Sequence, residues 1–297
     1  MDEFQAFYAA FRALWHSWFP SAIARGCANA ALFFCVFFVV VWVIETLYGT
    51  RSRNYRSREF AYDAFYYFYY RTGLHRFLFT ATVVTALVAP LSALDLGLLR
   101  PLPMAVQVIL GLLVADFFMY WLHRAQHTYR FLWAFHTTHH APTRLTYATF
   151  LRFHPVEVMI GDTASYALLA ILGADFTGWV AIFMITTFLG EVQHTQIPWT
   201  MGPLRWIFVT PRFHAFHHSI ERAEHDRNFG GLFSFWDRMF GTAMPDDAPA
   251  PKTYGLPDVK PDSLVGTFVS PFQVLRRLYR PGQVAGAETV AQQSSPP

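Results

Sequence analysis

The chain has 297 residues, of which 54% are apolar and only 14% charged. Soluble domains carry about 25% charged residues, so this balance excludes an ordinary water-soluble globule and points to a membrane protein. The net charge of +3 comes without a long basic run, which argues against nucleic acid as a partner, and Cys27 and Cys35 alone exclude a disulfide framework or a thiolate zinc site.

In chain order, residues 1–27 read as an interfacial segment. The apolar run 28–48 follows, long enough to cross a ~30 Å hydrocarbon core as a helix. No small-residue cleavage site comes after it, so it reads as a retained span, not a signal peptide. The aromatic stretch FAYDAFYYFYY, residues 60–70, is expected to form an interfacial belt. Further apolar segments cover 77–99, 103–122, 155–172 and 178–190. Spanning segments must satisfy their own backbone hydrogen bonds, so helices are expected. Arg51, Arg53, Arg56, Arg58, Arg71 and Arg76 lie between the first two segments, against Arg100 alone in the next loop. That bias places 50–76 in the cytoplasm, and counting crossings brings every histidine-rich stretch to the same side. After Met244 the chain turns Pro/Asp-rich. Residues 245–280 read as an extension in which PFQVLRRLYR makes a short amphipathic helix against the membrane surface, and 281–297 as a disordered tail.

Three clusters carry the chemistry: His123-x3-His127, His136-x2-His139-His140 and His214-x2-His217-His218. Residues three and four apart share a helix face, so each cluster presents imidazoles in one direction, as metal sites built from several helices require. Isolated histidines such as His16 and His75 read as surface or interface residues. Eight clustered rings are different, because polar rings without partners cost stability and a shared metal is the economical partner. Imidazole suits zinc, iron, copper or nickel. Eight rings, or nine with His194 at the end of the last apolar segment, are too many for one ion and suit two with positions left open. Iron, which can bind and reduce O2, is the preferred reading, and zinc stays open.

Asp116, Tyr120, His123 and His127 form one helical stripe. A carboxylate inside an apolar run is expensive without a partner, so Asp116 is expected to orient a ligand imidazole. In RFHPVE, Pro155 and Glu157 suit the first turn of a helix, and Glu157 is also a candidate neighbour of the site. His154 is either a further ligand or a cap and stays outside the ligand set, as does His225. Asn228 is expected to reach the site through a water. No catalytic group beyond the ligands is indicated.

These residues resemble the sterol desaturase/fatty acid hydroxylase superfamily. D-x-x-x-Y-W-x-H-R-x-x-H at 116–127 is followed, in that family's order, by H-x-x-H-H at 136–140 and R-F-H-P-x-E at 152–157. T-P-x-x-H-x-x-H-H at 210–218, N-F-G at 228–230 and W-D-R-x-F-G-T at 236–242 complete the series. The likeness covers about 103–255. It implies an all-α integral membrane bundle of four to five spans, with a catalytic core at about 103–244 inside a 28–244 domain and a cytosolic histidine-rich cap. It further implies two iron ions held by His123, His127, His136, His139, His140, His214, His217 and His218, with His194 at a less regular position. O2 is the implied co-substrate and a membrane lipid the substrate. The expected reaction is O2-dependent hydroxylation of an unactivated C–H bond, with desaturation as the alternative. No His-Pro-Gly-Gly haem-binding stretch occurs, so a separate electron-transfer protein is implied. The expected location is a bacterial inner membrane, or the endoplasmic reticulum if the chain is eukaryotic. A metal transporter, the remote alternative, would hold its ions near the bilayer midplane, whereas these clusters follow the apolar segments. A zinc hydrolase would need H-E-x-x-H, which is absent from the sequence.

Overall fold

The computed structural model describes residues 19–48, 53–75, 94–174, 176–251 and 253–279. Most of the second apolar segment, the start of the N-terminal segment and the 281–297 tail lie outside them. The described residues form nine α-helices and no strand, only the isolated bridges Phe208–Phe233 and Ser219–Tyr254. The helices are α1 (Phe19–Leu47), α2 (Arg58–Arg71), α3 (Met104–Thr128), α4 (Arg130–His140) and α5 (Pro155–Leu172). They continue with α6 (Phe176–Gln193), α7 (Pro211–His217), α8 (Phe235–Met239) and α9 (Leu264–Leu278).

Among the described residues, three segments are long and apolar enough to cross a membrane: Ala24–Leu47, Met104–Thr128 and Pro155–Leu172. α6 adds the shorter apolar stretch Val180–Gln193. Leu32, Phe33, Val36, Val39, Val40 and Val43 of α1 are exposed, the pattern of a helix whose outer face meets hydrocarbon instead of protein. Inside, α3 and α6 approach so closely at Gly111 that a Cβ there would lie 2.4 Å from Ile182 Cδ1, and Leu112, Leu169 and Ile182 form the core between α3, α5 and α6.

Helix ends follow local chemistry. At α5 the His154 ring accepts from Val156 N–H, Pro155 takes the first position, and Gly173 ends the helix at φ 70°, where glycine pays no Cβ penalty. A single extended residue, Tyr129, separates α3 from α4. Thr210 caps α7, with Pro211 next.

These junctions put every cluster at one end of the bundle. The 96–99 backbone bonds the Ile171 and Leu172 carbonyls at the far end, while Glu45 near the end of α1 accepts from Gln196 N–H, 3.0 Å away, beside His194. The turn that leads into α2 lies at the same end, where Asn54 donates to the Leu145 carbonyl.

Three expectations need correction. The aromatic stretch 60–70 is not a belt throughout: within α2, Asp63, Tyr66 and Tyr67 are fully buried, while Phe65 is exposed. The reason is Asp63, whose carboxylate accepts from Arg152 (3.1 Å), Thr149 (2.7 Å) and Thr146 (3.2 Å) and pulls α2 over the 3-10 turn Tyr147–Leu151. His75 is buried, not at the surface, and packs against Tyr69 and Tyr70. The C-terminal helix begins at Leu264, seven residues before the expected start, because Ser263 accepts from Gly266 N–H and caps it. It packs along α4 with Tyr66 Oη and Thr267 Oγ1 hydrogen-bonded at 2.8 Å, so the extension is built into the cap.

Arg152 has Asp63 as its charge partner in the interior. Asp63→Ala is expected to cost about 3–5 kcal/mol, the penalty for stranding one member of a buried pair, and Asp63→Leu with Arg152→Met to recover much of it. Denaturant unfolding of the detergent-solubilised chain measures both; a loss under about 1 kcal/mol would show that this pair does not hold the cap.

Candidate metal centre

All nine predicted histidines converge, and they sort into two groups. His123, His127, His136, His140 and His217 form one; His139, His194, His214 and His218 form the other. Within each group one ligand atom per ring lies within 4.8 Å of all the rest. The division cuts across the sequence clusters. Each H-x-x-H-H contributes its i, i+4 pair (His136/His140 and His214/His218) to one group and its third histidine (His139 and His217) to the other. Neighbouring helix residues point about 100° apart, so α4 and α7 each serve both groups. The groups are adjacent: the His140 and His218 ring centres are 4.7 Å apart.

The outer nitrogens fix the tautomers. His123 Nδ1 bonds the Phe229 carbonyl at 2.8 Å, His217 Nδ1 that of Arg227 at 2.9 Å and His194 Nδ1 that of Gly190 at 2.7 Å. His136 Nδ1 meets Glu157 Oε1 at 2.5 Å and His127 Nδ1 meets Asp226 Oδ1 at 3.2 Å. Carbonyl and carboxylate oxygens only accept, so each of these nitrogens carries a proton, and in a neutral ring Nε2 is then a bare lone pair. The inner nitrogens face one another: the His123 and His136 lone pairs at 3.1 Å, and the His194 lone pair and His214 Nε2 at 3.0 Å. His140 Nε2 is 3.0 Å from that of His136, and His218 Nε2 3.1 Å from that of His214. His127 Nε2 and His217 Nε2 are buried without a hydrogen-bond partner. Protonation does not relieve the crowding. Burial, reinforced by neighbouring rings, pushes His136, His139, His140, His214, His217 and His218 well below the ordinary 6.5, and His194 down to about 4. Deprotonated nitrogens converging in a buried space are a donor set fit for metal cations.

The residues around the rings act partly as expected. Glu157 sits in the first turn of α5 and also holds His136, while Gln126 donates to it at 2.9 Å. Asp116 departs from its expected role. Its carboxylate accepts from Leu232 N–H (2.7 Å), Phe233 N–H (2.9 Å) and Trp236 Nε1 (3.0 Å), and from no imidazole. Buried backbone donors satisfied its burial cost first. Tyr120 Oη bonds Thr242 Oγ1 at 2.8 Å. Asn228 donates to the Phe213 carbonyl and accepts from Met244 N–H, bracing α7 through its backbone without reaching a ring. His154 is the α5 cap, and neither it nor His225 belongs to a group.

Four residues escaped the sequence reading. Asp237 accepts from Phe229 N–H, Gly230 N–H and Thr242 Oγ1, each at 2.7 Å, and so sets the loop whose Phe229 carbonyl holds His123; its place in W-D-R was the available signal. Phe153 stacks on His139 at 4.2 Å and 11°. Phe150 covers Gly190, where a Cβ would lie 2.2 Å from its ring. Asp226, at φ 56°, follows His225 in a loop without any spacing signal.

An all-helical membrane chain carrying two buried polyhistidine groups at one end of its bundle defines the class. Residues 108–242 match the fatty acid hydroxylase family, so this segment is similar to that family. It is 34% identical over 170 residues to an ornithine lipid hydroxylase of Rhizobium tropici, covering 57% of this chain and 51% of that protein. It is 36% identical over 152 residues to the alkylglycerol monooxygenase of Caenorhabditis elegans, covering 50% and 29%. A very-long-chain aldehyde decarbonylase of Oryza sativa subsp. japonica is 30% identical over 140 residues, covering 46% and 51%. The chain thus spans about half the length, or less, of these curated relatives. No solved structure matches it.

The depressed imidazoles give a signed pH effect. The unfolded rings take up protons near pH 6.5 that the folded ones refuse, so the unfolded state binds more protons below that value and stability falls as pH falls. Thermal unfolding of the chelator-treated chain is expected to be constant from pH 8 to 7 and to weaken progressively from 6.5 towards 4. A midpoint that holds or rises across that window would contradict the neutral-ring assignment.

Proposed function

We propose that the chain is an O2-dependent lipid hydroxylase of the membrane, with two iron ions in the polyhistidine groups. The observation that carries this reading is the convergence of nine imidazoles, ring nitrogen to ring nitrogen, in two adjacent groups. Iron bound there supplies the reduction of O2 and the attack on an unactivated C–H bond, which protein side chains alone cannot perform. The nine histidines are the proposed ligands. Glu157 and Asp226 hold two rings through Nδ1. Asp116, Asn228 and Asp237 act through the backbone of 213–242 that frames the centre, and Tyr120 through the Thr242 hydroxyl.

The remaining chemistry belongs to the chain. Burial keeps bulk water from the rings and holds them neutral. The centre lies where α3, α5 and α6 meet the cap, so an acyl chain lying among the span helices reaches it without leaving the bilayer. The relatives named for action on ornithine lipid and alkylglycerol support a polar membrane lipid as the substrate. The proposal includes the domain limits 28–244 for the oxidase unit and 245–280 for the extension, a cytoplasmic histidine face, and a separate electron-transfer protein as reductant. Placement at the helix ends, away from the midplane, disfavours ion transport.

Metal analysis after anaerobic iron loading, with turnover of a lipid extract under 18O2, tests the reading. The expected result is two irons per chain and one 18O in an alcohol product. Full activity with zinc and no iron would overturn the iron assignment, and an alkene without 18O would reassign the reaction as desaturation. His139→Ala and His217→Ala each remove one ring from a different group, and each is expected to lower turnover at least 10²-fold with the chain still folded. Glu157→Ala is expected to weaken iron binding about 10–100-fold, read by chelator competition.

A further inference from the structure

Helix α9 presents three faces. Thr267, Ser270 and Pro271 are buried against α4 and α2. Beside them runs an exposed apolar stripe, Val265, Val269, Phe272 and Tyr279, at i, i+4, i+7 and i+14, with exposures of 69%, 42%, 54% and 59%. Gln273 and Arg277 are exposed on the third face, and the Arg277 guanidinium donates to the Asp258 carbonyl. A helix that only closes the cap over the histidines would expose polar residues where α9 exposes valine and phenylalanine.

Its height in the fold is set by His154. The Nδ1 atom of that ring accepts from Val156 N–H at 3.2 Å, and the ring faces that of Phe268 at 6.3 Å. Phe272 packs 5.7 Å from the same ring. His154 immediately precedes the candidate span Pro155–Leu172, so the middle of α9 lies level with the start of a membrane crossing. On α2, half-exposed Phe65 meets Phe268 at 6.1 Å; on α4, Phe135 meets Phe272 at 5.6 Å and half-exposed Phe131 at 5.2 Å. The stripe is thereby continued by aromatic rings on both sides. Arg276 falls within the stripe near its end. An arginine there can lay its stem on acyl chains and raise its head to lipid phosphate.

We propose that α9 lies in the lipid–water interface on the histidine side of the membrane, its Val265–Val269–Phe272 stripe seated among the headgroups and upper acyl chains and Arg276 on anionic phosphate. Amphipathic helices of this kind bind by apolar burial plus attraction to anionic lipid. Because α9 packs directly along α4, which carries His136, His139 and His140, the lipid surface then braces the outer side of a helix that serves both polyhistidine groups. The proposal rests on the chain's being a membrane protein and is independent of the reaction assigned above.

The test uses the full chain with Cys27→Ser and Cys35→Ser, reconstituted in lipid nanodiscs. An environment-sensitive fluorophore is attached singly at Val265→Cys, Val269→Cys or Gln273→Cys. The expected result at 265 and 269 is blue-shifted emission, quenched by a headgroup-proximal nitroxide lipid at least about threefold more than by iodide, with the order reversed at 273. Stronger iodide quenching at 265 and 269 would overturn the proposal. So would energy transfer between copies labelled at 269 that persists on dilution into excess lipid, which would identify a second copy as the cover. The unmodified chain supplies a second measurement. A diazirine-bearing phosphatidylglycerol should crosslink to peptides containing 264–279, and their absence among crosslinks that do map to α1 would also overturn it.

Discussion

The arrangement on which the rest of the structure depends is electrostatically unfavourable by itself: neutral imidazoles crowd their inner nitrogens together, with the His123 and His136 lone pairs 3.1 Å apart and their protons committed outward. In water such rings would rotate away or pick up protons. Here rotation is opposed by outward hydrogen bonds to Phe229, Arg227 and Gly190 carbonyls and to Glu157 and Asp226 carboxylates, and protonation by burial. A cation reverses the sign of the interaction. The same lone pairs that repel become its ligands, so metal binding is coupled to the stability of the cap.

Holding rings in this way demands a stiff frame, and the fold provides it with buried carboxylates. Asp116 on α3 takes two backbone N–H groups and the Trp236 indole, Asp237 takes two further N–H groups of the loop that reaches His123, and Asp63 takes Arg152 and two threonine hydroxyls beneath the turn that carries Phe150 and Phe153. Each carboxylate is fully engaged, which is what makes its burial tolerable. None of the three touches a histidine, yet each fixes a segment that does.

Legibility in the sequence divides along the same line. The histidines were readable because short helical spacing states a shared direction, and the apolar runs because a bilayer requires length and composition. Glu157 was readable through its position at a helix start. What spacing could not reveal was that adjacent histidines, His139 with His140 and His217 with His218, enter different groups, since that depends on how α4 and α7 are docked. The aromatic run of α2 was misread for a related reason. Its composition matches an interfacial belt, and only the distant Arg152 explains why Asp63 turns the helix inward. Asp226 and Phe153 lie in irregular segments, where contact is a property of the folded chain alone.

The two groups are built differently. Four of the five rings in the first have an oxygen acceptor at Nδ1, two of them carboxylates. In the second only His194 does, while Nδ1 of His139, His214 and His218 is buried without a hydrogen-bond partner; His139 is held instead by the face of Phe153. A carboxylate behind an imidazole raises its basicity as a ligand, and only the first group has carboxyl groups behind its rings. The inequivalence arises from α5 and the 225–228 loop, which supply Glu157, Asp226 and the Arg227 carbonyl to one group and nothing comparable to the other, although the paired H-x-x-H-H motifs by themselves treat the two groups alike.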